Sequence, residues 1–245
     1  LALAVVNSLI KEDVMTLTHR NCTYNLACSK SLKQELDFYN LKATQFKSQM
    51  GSMNLAMKNT NILYSSSILG NNIGVGIGIA FNRKLSDKKG YVYILTGDGA
   101  IEEGIFWESL LLAKTHKLKV IIIIENNNYS LGSSIKERRC EINFKQVSEG
   151  LSIPFMRASG NNYLLLKDIL KSCRGIIDNG PVLLEVDLYT FNQHAGPTPG
   201  WSTDPKIIDI KNGLIINDSD MDPIKNLKES IGEKKFLEVS NSIII

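Results

Sequence analysis

An α/β fold, a mostly parallel sheet with helices on both faces, is predicted by three observations. Beyond residue 60, short β-rich runs alternate with longer helical stretches, as they do when crossover helices join parallel strands. Two of the runs are nearly continuous Val, Ile and Leu, as in strands covered on both sides. No repeat and no linker-like stretch breaks the alternation, so residues 1–245 read as one domain.

Taken in order, the chain opens with helical pieces around Leu1–Ile10 and Leu32–Phe46 in a mixed, more polar region. Asn72–Lys84 has helical length, and its glycines Gly74, Gly76 and Gly78 suit close packing of the helix on the sheet. They are spaced GxGxG and lack a downstream acidic residue at a strand end, so they do not complete a dinucleotide fingerprint. Tyr91–Thr96 reads as a strand, Glu102–Thr115 as a helix and Val120–Glu125 as the next strand. Phe155–Ala158 is a short strand, Leu164–Asn179 a helix stopped by Gly180-Pro181, and Val182–Leu188 the last strand. The first residues lack a basic flank and a small-residue cleavage site. A chain that begins and ends on apolar helix-like residues reads as cut from a larger fold at both ends.

Composition narrows the function. Lys and Arg outnumber Asp and Glu by 28 to 25, and a net charge of +3 forms no basic stripe for a nucleic acid. The uncharged run Asn59–Asn82 is too rich in Asn, Ser and Gly for a membrane span. Cys22, Cys28, Cys140 and Cys173 lack zinc-site spacing and read as buried or half-buried thiols of a reducing, cytoplasmic compartment.

The chemistry concentrates at two strand ends. Gly97-Asp98-Gly99-Ala100 follows one predicted strand, and Glu125-Asn126-Asn127-Asn128-Tyr129 follows the next. A right-handed crossover sets those strands side by side, so Asp98 and Asn127 share the crevice at the carboxyl edge where open α/β sheets bind ligands. A carboxylate, an amide oxygen and a main-chain carbonyl are hard ligands suited to Mg2+, the rest of whose octahedron would be diphosphate oxygens and water. Gly97 and Gly99 admit a phosphate to the backbone, and a helix starting after Ala100 would aim its N–H groups at it. Taken alone, Gly-Asp-Gly reads as a tight turn with an N-capping Asp. Asn127 stands 29 positions beyond Asp98, and Gly-Asp-Gly followed at this distance by Asn-Asn resembles the signature of thiamine diphosphate enzymes, a resemblance that favours the cofactor reading.

The stretch Gly97–Ser134, GDGAIEEGIFWESLLLAKTHKLKVIIIIENNNYSLGSS, resembles the alpha subunit of the decarboxylating component of 2-oxoacid dehydrogenases, the pyruvate, branched-chain and acetoin group. Leu17-Thr18-His19-Arg20 and Gly51-Ser52-Met53 resemble two upstream segments of that family, and Ile68–Ala80 its cofactor-facing helix start, which implicates Leu69. Gly160-Asn161-Asn162 stands where the family has Gly-Asn-Asp, and Tyr189–His194 matches the spacing of a loop that ends in histidine.

The resemblance implies a three-layer thiamine diphosphate-binding fold. It assigns Asp98, Asn127 and the Tyr129 carbonyl to magnesium, Arg20 to the diphosphate, and Leu69, Gly97, Gly99 and Ala100 to the cofactor. His194, by itself a solvated loop histidine, would then touch the reacting centre. His116 ends a helix and complements its dipole. Glu102 and Glu103 fall in a first helical turn, where acidic residues are favoured, and the family often uses one of them as a polar cofactor contact.

The resemblance also implies a beta subunit that supplies the catalytic glutamate, a heterotetramer of two alpha and two beta chains, and acyl transfer to the lipoamide of an acyltransferase. Cys22, Thr190 and Ala195 replace a histidine, an arginine and a phosphorylated serine of the family, and His194–Pro197 resembles a bacterial branch. Two rivals stand beside this reading. Glu102-Glu103-Gly104 with Trp107-Glu108 also resembles the amino-terminal half of transketolase-type enzymes, and the departures suit a noncatalytic subunit that keeps the fold.

Overall fold

The computed structural model describes residues 1–19, 22–29, 59–189 and 220–242. Its strands are β1 (Val14–Thr18), β2 (Ile62–Ser66), β3 (Val92–Gly97), β4 (Val120–Asn126), β5 (Tyr129–Ser130), β6 (Ser133–Ser134), β7 (Phe155–Ser159) and β8 (Val182–Asp187). Its helices are α1 (Ala2–Ser8), α2 (Cys22–Cys28), α3 (Asn71–Leu85), α4 (Gly104–Thr115), α5 (Ile135–Arg138), α6 (Phe144–Leu151), α7 (Tyr163–Ile176), α8 (Pro223–Ile231) and α9 (Glu233–Ser242). Six strands form one sheet in the order β2-β1-β3-β4-β8-β7, and β5 and β6 form a small antiparallel hairpin.

Every pairing in the large sheet is parallel. The four expected strands are all present, each within one residue of its predicted ends; β3, β4 and β8 are apolar runs covered on both faces, whereas β7, Phe155-Met156-Arg157-Ala158-Ser159, is a partly exposed strand at the sheet edge. Alternation along β3 shows how both faces are covered: Tyr93 and Leu95 enter the core beneath α1, α2 and α7, whereas Val92 and Ile94 enter the core beneath α3, α4 and α6. Two cores on one sheet make three layers.

The predicted helix Asn72–Lys84 is α3, and Leu164–Asn179 is α7 continued by a 3-10 turn at Ile177–Asn179. Leu32–Phe46 lies outside the described residues. Close packing accounts for Gly76, since a Cβ there would stand 2.6 Å from Ile94 Cγ1. Gly78 is different: open space surrounds it. Among the described residues no helix is long and apolar enough to cross a membrane.

Two thiols depart from expectation. Cys22 and Cys140 are exposed, because Cys22 starts a short surface helix and Cys140 follows α5 in a surface connection. Cys173 is buried in the core, which pushes its thiol up to about 12.

From β1 the chain passes to β2 on one side, then returns to place β3 on the other. The direction of winding reverses there, and the carboxyl ends of β1 and β3 part to leave a crevice. Pairing between them ends at Thr16 and Ile94. Beyond it the buried Asn72 of α3 donates from Nδ2 to Leu95 O at 2.7 Å, and its own carbonyl accepts from Thr16 Oγ1 at 3.0 Å. A polar side chain thus satisfies backbone that the separated strands no longer pair.

Candidate active site

The crevice has a volume of about 300 Å3 and is floored by the ends of β1, β2, β3 and β4. Leu69, Gly97, Asp98, Gly99, Ala100, Asn127 and Tyr129, all expected at the cofactor, line it. Thr18, His19, Ser67, Glu125 and Leu131 line it too. Arg20, Gly51–Met53 and His194 lie outside the described residues.

Asp98 follows β3 directly, and its N–H donates to Glu125 O at 3.2 Å, so the β3–β4 ladder extends into the motif. The residue is only 2% exposed. Burial pushes its carboxyl up to about 6, against the pull of the Arg138 and Arg139 guanidinium groups. Arg138 Nη2 stands 3.4 Å from Asp98 Oδ2.

Asp98 does not cap a helix. The turn that follows is a 3-10 turn, Ala100–Glu102, whose N-cap is Gly99 with no side-chain cap, and Glu103 is extended before α4 begins at Gly104. The expected helix start after Ala100, and the placing of both glutamates in its first turn, are therefore corrected. Gly99 and Ala100, at the start of that short turn, line the crevice, and α4 begins only at Gly104. Glu102 instead accepts at one oxygen from Arg138 Nε at 3.0 Å and Arg139 Nε at 3.2 Å.

On the β4 side the first Asn is structural: Asn126 Nδ2 donates to Glu185 Oε1 at 2.9 Å. The second, Asn127, accepts at Oδ1 from Tyr129 N at 3.0 Å, an Asx turn that presents both residues on one loop. Asn128 has φ 67 and Leu131 φ 52, so the loop passes twice through left-handed backbone before the hairpin closes. Tyr24 OH donates to Glu125 Oε1 from beneath and fixes that carboxylate at the floor.

A small cation and a diphosphate fit what is present. Asp98 offers a desolvated carboxylate, Asn127 and Tyr129 offer neutral oxygens, and Gly97 has nothing within 4 Å of where a Cβ would stand. At Gly99 the same space is taken, because a Cβ would meet Ser130 Oγ at 2.5 Å, so this crevice-lining glycine also lets the hairpin pack against it. Among the described residues no three His, Cys, Asp or Glu side chains form a metal cage. A cation at Asp98 would therefore take its other ligands from neutral oxygens, water and a bound anion.

Arg138 beside Asp98 was not expected, and His19 was expected only as part of the segment Leu17–Arg20, with no role of its own. Arg138 is delivered by α5, whose start is fixed by a capping box between Ser134 and Glu137. The Ser-x-x-Glu pattern followed by Arg138-Arg139 was the available signal.

His116 is the C-cap of α4, as expected, and its ring meets Phe81 edge-on at 4.8 Å between centroids. A second cavity, about 620 Å3, is an apolar groove between α3 and α4 that holds Gly74, Ile77, Phe81, Ile105 and Leu112. It carries none of the expected site residues.

Comparison with known proteins gives the family. The chain is 26% identical over 231 residues to the pyruvate dehydrogenase E1 component subunit alpha of Rhizobium meliloti, covering 92% of this chain and 64% of that protein. It is 27% identical over 190 residues to the mitochondrial subunit alpha-1 of the same component in Oryza sativa, covering 77% and 48% respectively. The chain thus spans about half to two thirds of the length of these relatives. The crystal structure of transketolase from Campylobacter jejuni shares the fold, with TM-score 0.59 and 17% identity over 75% of this chain and 32% of that one. The family model for the dehydrogenase E1 component matches residues 1–239, and with the fold and the resemblance in Gly97–Ser134 it shows that the chain belongs to that family.

Proposed function

We propose that residues 1–245 form the diphosphate-binding domain of a thiamine diphosphate-dependent 2-oxoacid dehydrogenase alpha subunit, which decarboxylates a 2-oxoacid and passes the acyl group to lipoamide. The observation that carries this reading is the gathering of Asp98, Asn127 and Tyr129 around open space at Gly97, in one crevice across β3 and β4. When bound, thiamine diphosphate supplies a carbon nucleophile that adds to a 2-oxoacid carbonyl and stabilises the negative charge left by loss of carbon dioxide.

This chain's own residues would anchor and orient. Asp98, Asn127 and the Tyr129 carbonyl hold Mg2+, which offsets the diphosphate charge, and Arg20 adds a fixed cation. Leu69, Gly97, Gly99 and Ala100 shape the wall against the cofactor. His194 donates a hydrogen bond to the substrate carboxylate or to charge developing in the reaction.

The glutamate that activates the cofactor ring would come from a beta subunit in a heterotetramer. Apolar side chains exposed along α3 and α4 among the described residues, such as Leu85, Ile105 and Leu112, support the need for a covering chain. The four free thiols, two of them exposed, support a reducing, cytoplasmic setting.

Reconstitution tests this directly. Adding a beta-type subunit is expected to elicit cofactor-dependent decarboxylation of a 2-oxoacid that neither chain performs alone. A stable complex with bound cofactor and no turnover on any 2-oxoacid would instead mark a noncatalytic subunit.

A further inference from the structure

The sequence Gly160-Asn161-Asn162 lies at the carboxyl edge of the sheet, away from the crevice residues, and each of its three positions has a separate physical task. β7 and β8 pair in parallel as far as Ser159 and Asp187. Gly160 then donates its N–H to Asp187 O at 2.8 Å, and a Cβ there would stand 2.2 Å from Leu188 Cδ2, so the backbone lies directly against the end of β8. Asn162 accepts at Oδ1 from Leu165 N at 3.0 Å and caps α7, which locks the motif to a helix rooted in the core.

Between them stands Asn161, 7% exposed. Its amide makes three bonds, all to backbone. Oδ1 accepts from Tyr189 N at 3.0 Å, and Nδ2 donates to Tyr189 O at 3.2 Å and to Met221 O at 2.9 Å. The first two reproduce a strand pairing where β7 has already ended. The third reaches the turn before α8, whose own start is fixed by Asp222 Oδ1 accepting from Ile224 N at 2.8 Å.

Tyr189 and Met221 flank residues 190–220, the stretch of sequence that carries His194. Bringing together two points so far apart in the chain costs loop-closure entropy, and a buried side chain that binds both offsets it. Only a primary amide does this: it needs an acceptor for one N–H and two donor hydrogens for two carbonyls.

We propose that Asn161 is a positioning residue for the segment that carries His194, setting the spacing of the segment's two roots with one side chain. Its catalytic consequence rests on the role proposed above for His194. The placement of the roots does not.

The test uses the full chain with two variants, Asn161→Ala and Asn161→Asp. The aspartate keeps volume and the bond to Tyr189 N but turns an acceptor toward two carbonyls, so it must be as damaging as alanine if the amide donors matter. Limited trypsin digestion, well below the melting temperature, reads cleavage after Lys206 and Lys211, the only Lys or Arg residues in 190–219. Both variants are expected to be cut there about tenfold faster, with cleavage elsewhere unchanged.

In the assembly with the beta subunit, both are expected to lose about tenfold in kcat with cofactor affinity kept within about twofold. Unchanged cleavage in the segment, acceleration spread evenly over the whole chain, or an Asp variant that behaves as wild type would each overturn the proposal. If His194→Ala leaves turnover untouched while the Asn161 variants still free the segment, the assignment of His194 fails and the role of Asn161 as holder of the two roots stands.

Discussion

Asp98→Asn is expected to abolish tight cofactor binding while leaving the fold as stable as before, or more stable. Outer-shell changes at metal sites cost about 10- to 100-fold in affinity, and loss of the one charged ligand proposed for the cation should reach at least about 100-fold. Stability moves the other way. The Asp98 carboxyl sits at about 6 against an ordinary 3.8, raised chiefly by burial. A carboxyl whose folded value lies above its unfolded value destabilises the fold when ionised: the cost is absent below about pH 4 and full above about pH 6. Asparagine removes that cost at pH 7.5 and changes nothing at pH 4.

The same titration governs binding, since a proton competes with the cation. Wild-type affinity should fall as pH drops through 6, whereas the weak residual affinity of the variant should not respond. Calorimetry and thermal melts at two pH values read both effects, and an Asn variant that binds like wild type would remove Asp98 from the anchor.

His194→Ala is the second large effect. The residue lies five positions beyond Tyr189, on the stretch that leaves β8 at the carboxyl edge of the sheet, the edge on which the crevice opens. As a positioned donor or acid it is expected to contribute about 100-fold to kcat and almost nothing to cofactor affinity. Steady-state kinetics of the reconstituted assembly, with cofactor titrations beside them, separate the two. A loss below about threefold returns the residue to a solvated loop. A collapse of cofactor affinity together with turnover would instead join it to the anchoring set.

What could be read in advance follows the physics of burial. β3, β4 and β8 announce themselves because both faces are covered and nearly every position is apolar. β1 and β2 do not, since Val14–Thr18 and Ile62–Ser66 include Thr16, Ser65 and Ser66, polar residues whose burial only the tertiary fold imposes. α6 was legible but overlooked: Asn143 caps it, and Phe144, Val147, Ser148 and Leu151 recur at helical spacing.

The shared crevice of Asp98 and Asn127 was accessible because each follows a strand and the crossover rule makes those strands neighbours. Arg138 beside Asp98 was not. The two are 40 positions apart, and their meeting depends on a hairpin with left-handed residues and a one-turn helix behind it. The helix start after Ala100 failed for a local reason, an extended Glu103 that no propensity in the sequence marks.

The crevice across β3 and β4 is expected to hold a diphosphate through a divalent cation. Isothermal titration of thiamine diphosphate into the chain assembled with the proposed beta-type subunit, once with Mg2+ and once with the metal chelated, tests this without reference to any 2-oxoacid. Saturable binding is expected with Mg2+, lost on chelation and lost in Asp98→Asn. Equal affinity with and without the metal would contradict it.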